Sequence, residues 1–117
     1  MKQKILVGVL AIALAACSGG GSGSEGPLDG EAVASDLGCQ SCHTGADTDL
    51  APTWNGIWGS QVELEDATPV TVDEEYLRLA IEEPQAQIVA GYGGTMPALP
   101  MSDEERAALI EYIKSLG

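Results

Sequence analysis

Phenylalanine is absent from this chain, and the other aromatics amount to two Trp and three Tyr. A domain of about ninety residues without Phe buries only a modest apolar core. There is one His and there are three Cys. A structural zinc site normally takes four ligands, and no second Cys pair is present to complete one. Basic residues are scarce: five Lys plus Arg stand against 18 Asp plus Glu, a net charge of −13. That balance repels a phosphate backbone and excludes nucleic acid as an expected partner. No apolar run reaches the roughly 20 residues a spanning helix needs. Repeats are also missing, and so is any βαβ pattern.

What is present begins at the N-terminus. Lys2 and Lys4 form a positive region ahead of the twelve apolar residues Ile5 to Ala16, followed by Cys17. The length suits the hydrophobic region of a signal peptide. Leu14-Ala15-Ala16-Cys17 resembles a bacterial lipobox, with cleavage before Cys17 and lipid on that residue. The alternative is an ordinary signal peptide that ends near a cysteine. Lipidation is favoured by the small residues before Cys17 and the Ser-Gly run after it. Two or more acyl chains anchor a protein firmly, where one does so only marginally. The expected organisation is therefore a removed leader at 1–16, lipidated Cys17 with a flexible tether over 17–28, and one domain over 29–117. Ser18 to Pro27 is Gly/Ser-rich, and ten such residues reach roughly 17 Å. The expected location is the exported side of a membrane, periplasmic or cell-exterior.

A chain beginning at Cys17 keeps Arg78, Arg106 and Lys114 against all 18 acidic residues, a net −15. Such acidity steers association with a basic surface. It equally serves solubility alone, and the sequence leaves both readings open.

The densest chemistry lies in Cys39-Gln40-Ser41-Cys42-His43. Cys-x-x-Cys-His is a c-type haem attachment pattern. Two thiols at this spacing reach the two vinyl groups of one porphyrin, and His43 then falls beneath the iron. A redox dithiol or half a zinc site are the competing readings. Thiol–disulfide chemistry expects a strand–helix setting, which these residues lack. One covalent haem c also fills the core that the missing aromatics leave short, and it consumes Cys39 and Cys42, so no disulfide is expected.

A second axial ligand decides what such a haem does. Met96, in Gly93-Gly94-Thr95-Met96-Pro97, is the favoured candidate, on a loop stiffened by Pro97. Met101 precedes the last helix and is the alternative, with packing its expected role; Met1 leaves with the leader. Core gap-filling is the competing role for Met96 as well. His/Met ligation raises the potential and closes the iron to small ligands. It suits an electron carrier and not an enzyme.

Periodicity predicts helices over Asp29–Gly38, Asp73–Glu83 and from Ser102 to the C-terminus. Thr71 or Asp73 caps the second, and Pro84 ends or bends it. Ser102 and Glu105 form a capping box for the last. Val62-Glu63-Leu64 suggests a short extended or hairpin arm, and no sheet is otherwise expected.

Taken together, Cys39-x-x-Cys42-His43, Pro52 with Gly56 and Gly59, Met96-Pro97 and the final amphipathic helix resemble class I cytochrome c. Val70 to Arg78 and Ile88 to Tyr92 are similar to the cytochrome c domain at the C-terminus of subunit II in some bacterial haem–copper oxidases. The resemblance spans Gly30 to Leu116. It implies an all-α cytochrome c fold, with three to four short helices around one covalent haem and the first and last helices crossing at Gly30, against Tyr112. It implies that the Pro52 carbonyl receives the His43 Nδ1–H. It implies that Trp54 or Trp58 lies against the haem, although plain core filling is an equal alternative. Arg78 becomes a candidate propionate partner, beside the commoner fate of a solvated helix charge, and Tyr92 joins the haem pocket. Ala34 stands where relatives often carry an aromatic, so a looser crossing is expected. Ala51 replaces a usual Gly, and Trp54 a common Leu. No dinuclear copper ligand set or spanning helix precedes the domain, so the expectation is a free-standing, lipid-anchored relative of that oxidase domain. The implied partners are a terminal haem–copper oxidase and a quinol-oxidising complex. Rival expectations are an electron-transfer subunit held in a dehydrogenase or reductase complex, and an open-site haem sensor or peroxidase-like protein.

Overall fold

The computed structural model describes residues 26–117. The expected leader and Cys17 lie outside the described residues, as does most of the tether. The described part contains three α-helices and one two-stranded antiparallel sheet.

Helix α1 spans Gly30–Asp36 and starts where the Asp29 side chain accepts from the backbone N–H of Glu31 and of Ala32, at 2.9 and 3.4 Å. An Asp in this position satisfies donors that have no partner within the helix. The helix stops at Leu37. Gly38 then takes a left-handed φ of 74°, which turns the chain into a short 3₁₀ turn, Cys39–Ser41. A side chain at Gly38 would be strained in that region.

Strands β1, Gln61–Glu63, and β2, Pro69–Thr71, pair with Val62 opposite Val70. This hairpin takes up the arm expected at Val62–Leu64, beginning one residue earlier, and adds a small sheet to an otherwise helical fold. A three-residue strand carries too little alternation to be seen in sequence. Beyond β1, Leu64 forms an isolated antiparallel bridge with Val89. Glu65 N donates to Ile88 O and Ala90 N to Glu63 O, both at 2.8 Å. The hairpin thereby holds the segment that leads to Met96.

Helix α2 spans Glu74–Glu82 and is capped by Asp73, whose carboxylate accepts from Tyr76 N at 2.8 Å. Glu83 leaves helical geometry just ahead of Pro84, as expected of a residue preceding proline. Helix α3, Asp103–Ser115, begins with the full capping box: Ser102 Oγ accepts from Glu105 N, and the Glu105 carboxylate accepts from Ser102 N.

The core joins all three helices through Val33, Ala34, Leu77, Ile81, Leu109, Ile110 and Ile113, with Val72 and Trp54 from the connections. Ala34 and Val72 are fully enclosed, and Leu109 and Ile113 nearly so. Each buried Val, Leu or Ile side chain contributes about 1.5–3 kcal/mol. Helices α1 and α3 meet at Gly30, where an added Cβ would collide with the Ala108 carbonyl and with Tyr112 Cβ. The expected crossing is present, and Ala34 sits enclosed within it and not beside a loose contact.

All three cations of the described residues lie on α2 and α3 and are paired. Arg78 meets Glu82, Arg106 meets Glu82 and Asp103, and Lys114 meets Glu74 and Glu111. Exposed pairs of this kind add about 0–1 kcal/mol each. No helix of the described residues is long and apolar enough to cross a membrane.

Candidate functional site

The 3₁₀ turn after Gly38 compacts the Cys-x-x-Cys-His stretch. Cys39 O accepts from Cys42 N at 3.3 Å and from His43 N at 3.0 Å. Cys39 and Cys42 are free thiols, the first half-buried and the second exposed. Burial pushes the Cys39 thiol up from its ordinary value. A reactive dithiol needs the opposite shift, so the environment argues against thiol–disulfide exchange.

His43 follows on this turn with its ring half-buried. Nδ1 lies 2.8 Å from Pro52 O. A carbonyl in that place accepts a proton, so Nδ1 carries N–H and Nε2 keeps its lone pair. Desolvation is the larger influence on the ring and lowers its pKa, while the Pro52 hydrogen bond opposes this. The net effect favours the neutral imidazole, the form able to bind a metal.

The loop between His43 and Pro52 is fixed by its own polar side chains. Thr53 N donates to Asp47 Oδ1 at 2.8 Å, Thr53 Oγ1 to Thr44 O at 2.9 Å, and Asn55 Nδ2 to Gly45 O at 3.0 Å. These bonds place the Pro52 carbonyl. Thr, Asp and Asn are residues that build such loops.

Cys39, Cys42, His43, Pro52 and Trp54 line one cavity of about 560 Å³. Tyr92 and Met96 line it too, as do the apolar α2 residues Leu77, Ala80 and Ile81. The volume and the apolar lining with few polar groups are those of a cofactor pocket. The donor chemistry is a pair of thiols, an imidazole and a thioether. Met96 is half-buried, and Gln85 Nε2 donates to its carbonyl at 3.1 Å. Gly93 N donates to Asp49 O at 2.7 Å. The Met96 loop is thus tied both to the segment after α2 and to the loop preceding Pro52. Met101 also lines the cavity, and it packs against the core.

Residues 28–117 match the family model described as Cytochrome c. The chain belongs to the cytochrome c family. No curated protein matches it. Family membership brings a covalent haem c, typically one per domain of this kind, and single-electron transfer as its use. The cavity fits that group, since the attachment motif, the apolar walls, an imidazole and a thioether open onto it.

Two residues expected in the haem pocket of this cytochrome c domain stand elsewhere. Trp58 does not line the cavity. It is half-buried, with Lys114 Nζ 5.1 Å from its ring centroid. Arg78 is also absent from the lining and pairs with Glu82 one turn along α2, which turns it to the solvated side. Tyr92 lines the cavity, and its hydroxyl lies 3.5 Å from Asp47 Oδ1. Burial, then the Asp47 charge, raises its pKa.

Proposed function

We propose that this cytochrome c domain is a membrane-tethered, single-electron carrier of a respiratory chain that delivers electrons to a terminal haem–copper oxidase. The observation that carries the electron-carrier part is the opening of His43 and Met96 onto the same cavity as Cys39 and Cys42. In this reading Cys39 and Cys42 would hold the haem through thioether bonds, and His43 and Met96 would be the donors to its iron. When bound, the haem supplies one reversible electron at iron.

The chain's own residues do the rest. Pro52 holds the His43 proton at Nδ1 and leaves Nε2 free to donate. Gln85 and Asp49 steady the loop that carries the Met96 thioether. The α2 residues keep water from the cavity, which strengthens the effect of each polar contact inside it. With His43 and Met96 both committed to the iron, the haem would supply electron transfer and not oxygen or peroxide chemistry.

The tether rests on Cys17 within its lipobox-like sequence. The oxidase assignment rests on the sequence resemblance of Val70–Arg78 and Ile88–Tyr92 to oxidase-fused domains. A basic docking surface on the partner is supported by charge placement. Asp47, Asp49, Glu63, Glu65 and Asp66 lie on the loops and hairpin, while the described cations are all paired on α2 and α3.

The deciding experiment is an optical spectrum of the purified protein in both oxidation states. A red-region methionine–iron charge-transfer band that vanishes on reduction supports the reading. Haem without that band, together with carbon monoxide binding, replaces it with an open-site sensor or peroxidase-like protein.

A further inference from the structure

Trp54 is the feature that neither the attachment motif nor the ligand set accounts for. Its side chain is buried, with 8% of its surface exposed. Its ring lies over the His43 imidazole, with centroids 4.9 Å apart and planes inclined by 20°. It also makes an edge contact with Tyr112, with ring centroids 6.2 Å apart and planes at 86°. Tyr112 in turn sits where α3 crosses α1, its Cβ against Gly30. The segment after Trp54 is bonded to the end of α3, with Gly56 N donating to Leu116 O at 3.2 Å.

We propose that Trp54 is a positioning residue for His43, clamping the imidazole plane and transmitting to it the packing of the α1–α3 crossing. The inference rests on His43 being the iron ligand, as argued above. The Pro52 hydrogen bond fixes the tautomer and one atom of the ring. A hydrogen bond made along the ring plane resists rocking of that plane only softly. A flat, buried indole against one face removes that freedom over an area no aliphatic side chain matches. The indole is itself held by its edge contact with Tyr112, so the clamp is only as rigid as the helix crossing.

The stack also has an electrostatic sign. The face of an indole is negative. It favours the more positive form of the group it covers, and an imidazole bound to oxidised iron is more positive than one bound to reduced iron. Trp54 therefore stabilises the oxidised state, and losing it raises the potential.

The test compares wild type with Trp54→Leu and Trp54→Phe as purified haem proteins, reading the potential, the paramagnetic NMR shifts of the axial ligands and the melting temperature. The expected result for Trp54→Leu is a change of up to about tenfold in the reduced-to-oxidised ratio at a fixed poise, an upward shift of up to about 59 mV for one electron. Displaced ligand resonances should accompany it, and Trp54→Phe should restore most of both by putting an aromatic face back. A lowered melting temperature with unchanged potential and resonances would overturn the proposal, as would a fallen potential. If Trp54→Leu does not accumulate, Tyr112→Leu decides: displaced His43 resonances support the clamp, and wild-type resonances overturn it. Should the wild type itself lack a histidine-ligated haem, the functional reading fails first; a ligated haem with indifferent variants removes this inference alone.

Discussion

Gly94 lies against the backbone of Leu50 so closely that an added Cβ would meet the Leu50 carbonyl. The next residue toward the N-terminus is bonded to the same strip, Gly93 N to Asp49 O at 2.7 Å. Leu50 is two residues before Pro52, whose carbonyl holds His43. The segments presenting the imidazole and the thioether are therefore packed on each other and not independently mounted.

That contact makes Gly94 a lever on Met96. Gly94→Ala forces the Met96 loop away from Leu50, because a backbone carbonyl cannot retreat as a flexible side chain can. The expected outcome is weaker methionine ligation, seen as partial loss of the red charge-transfer band and partial carbon monoxide binding to reduced protein. Met96→Ala should show both effects in full, with a lower potential. Inertness of Met96→Ala to carbon monoxide would move the ligand elsewhere, with Met101 the next thioether to test.

The helix crossing gives a stability prediction. Gly30→Ala places a methyl group into Ala108 and Tyr112. Overpacking of a tight contact destabilises by about 1–3 kcal/mol. Denaturant unfolding of the haem protein measures this, and a midpoint equal to that of wild type would show that the helices separate without penalty.

Cys17→Ser tests the anchor. The expected product is a haem protein recovered in the soluble fraction, where the parent sediments with membranes. Retention on membranes after the substitution would mean that lipid on Cys17 is not what holds it.

Ionic strength tests the docking charge. Electron transfer to a partner with a basic surface should slow as salt is added, because screening at about 0.1–0.15 M reduces attraction beyond about 8–10 Å. Stopped-flow rates that ignore salt would assign the acidity to solubility.

Several elements were legible in the sequence because their causes are local. Asp29, Asp73 and Ser102 each satisfy the orphan N–H groups of the helix that follows them; the Ser102 box forms as its spacing implied, Asp73 caps where Thr71 was the alternative, and Asp29, expected inside the first helix, is its cap. The hairpin was barely visible, since pairing across Val62 and Val70 depends on residues eight apart and not on either strand alone. Arg78 shows the limit at side-chain level. Its position on α2 was plain, but its direction depended on Glu82 one turn away.

The sequence alone determined the haem chemistry, because Cys39, Cys42 and His43 act through a spacing that one turn of backbone sets. It also determined the excess of negative charge and the helix starts. Tertiary structure decided which aromatic stands beside His43. Trp54 and Trp58 are four residues apart and alike in composition. Only the meeting of the Pro52 loop with Tyr112 on α3 puts Trp54 over the imidazole and leaves Trp58 beneath Lys114. A stack of that kind joins residues 43, 54 and 112, and no local pattern encodes a contact between parts of the chain that only packing brings together.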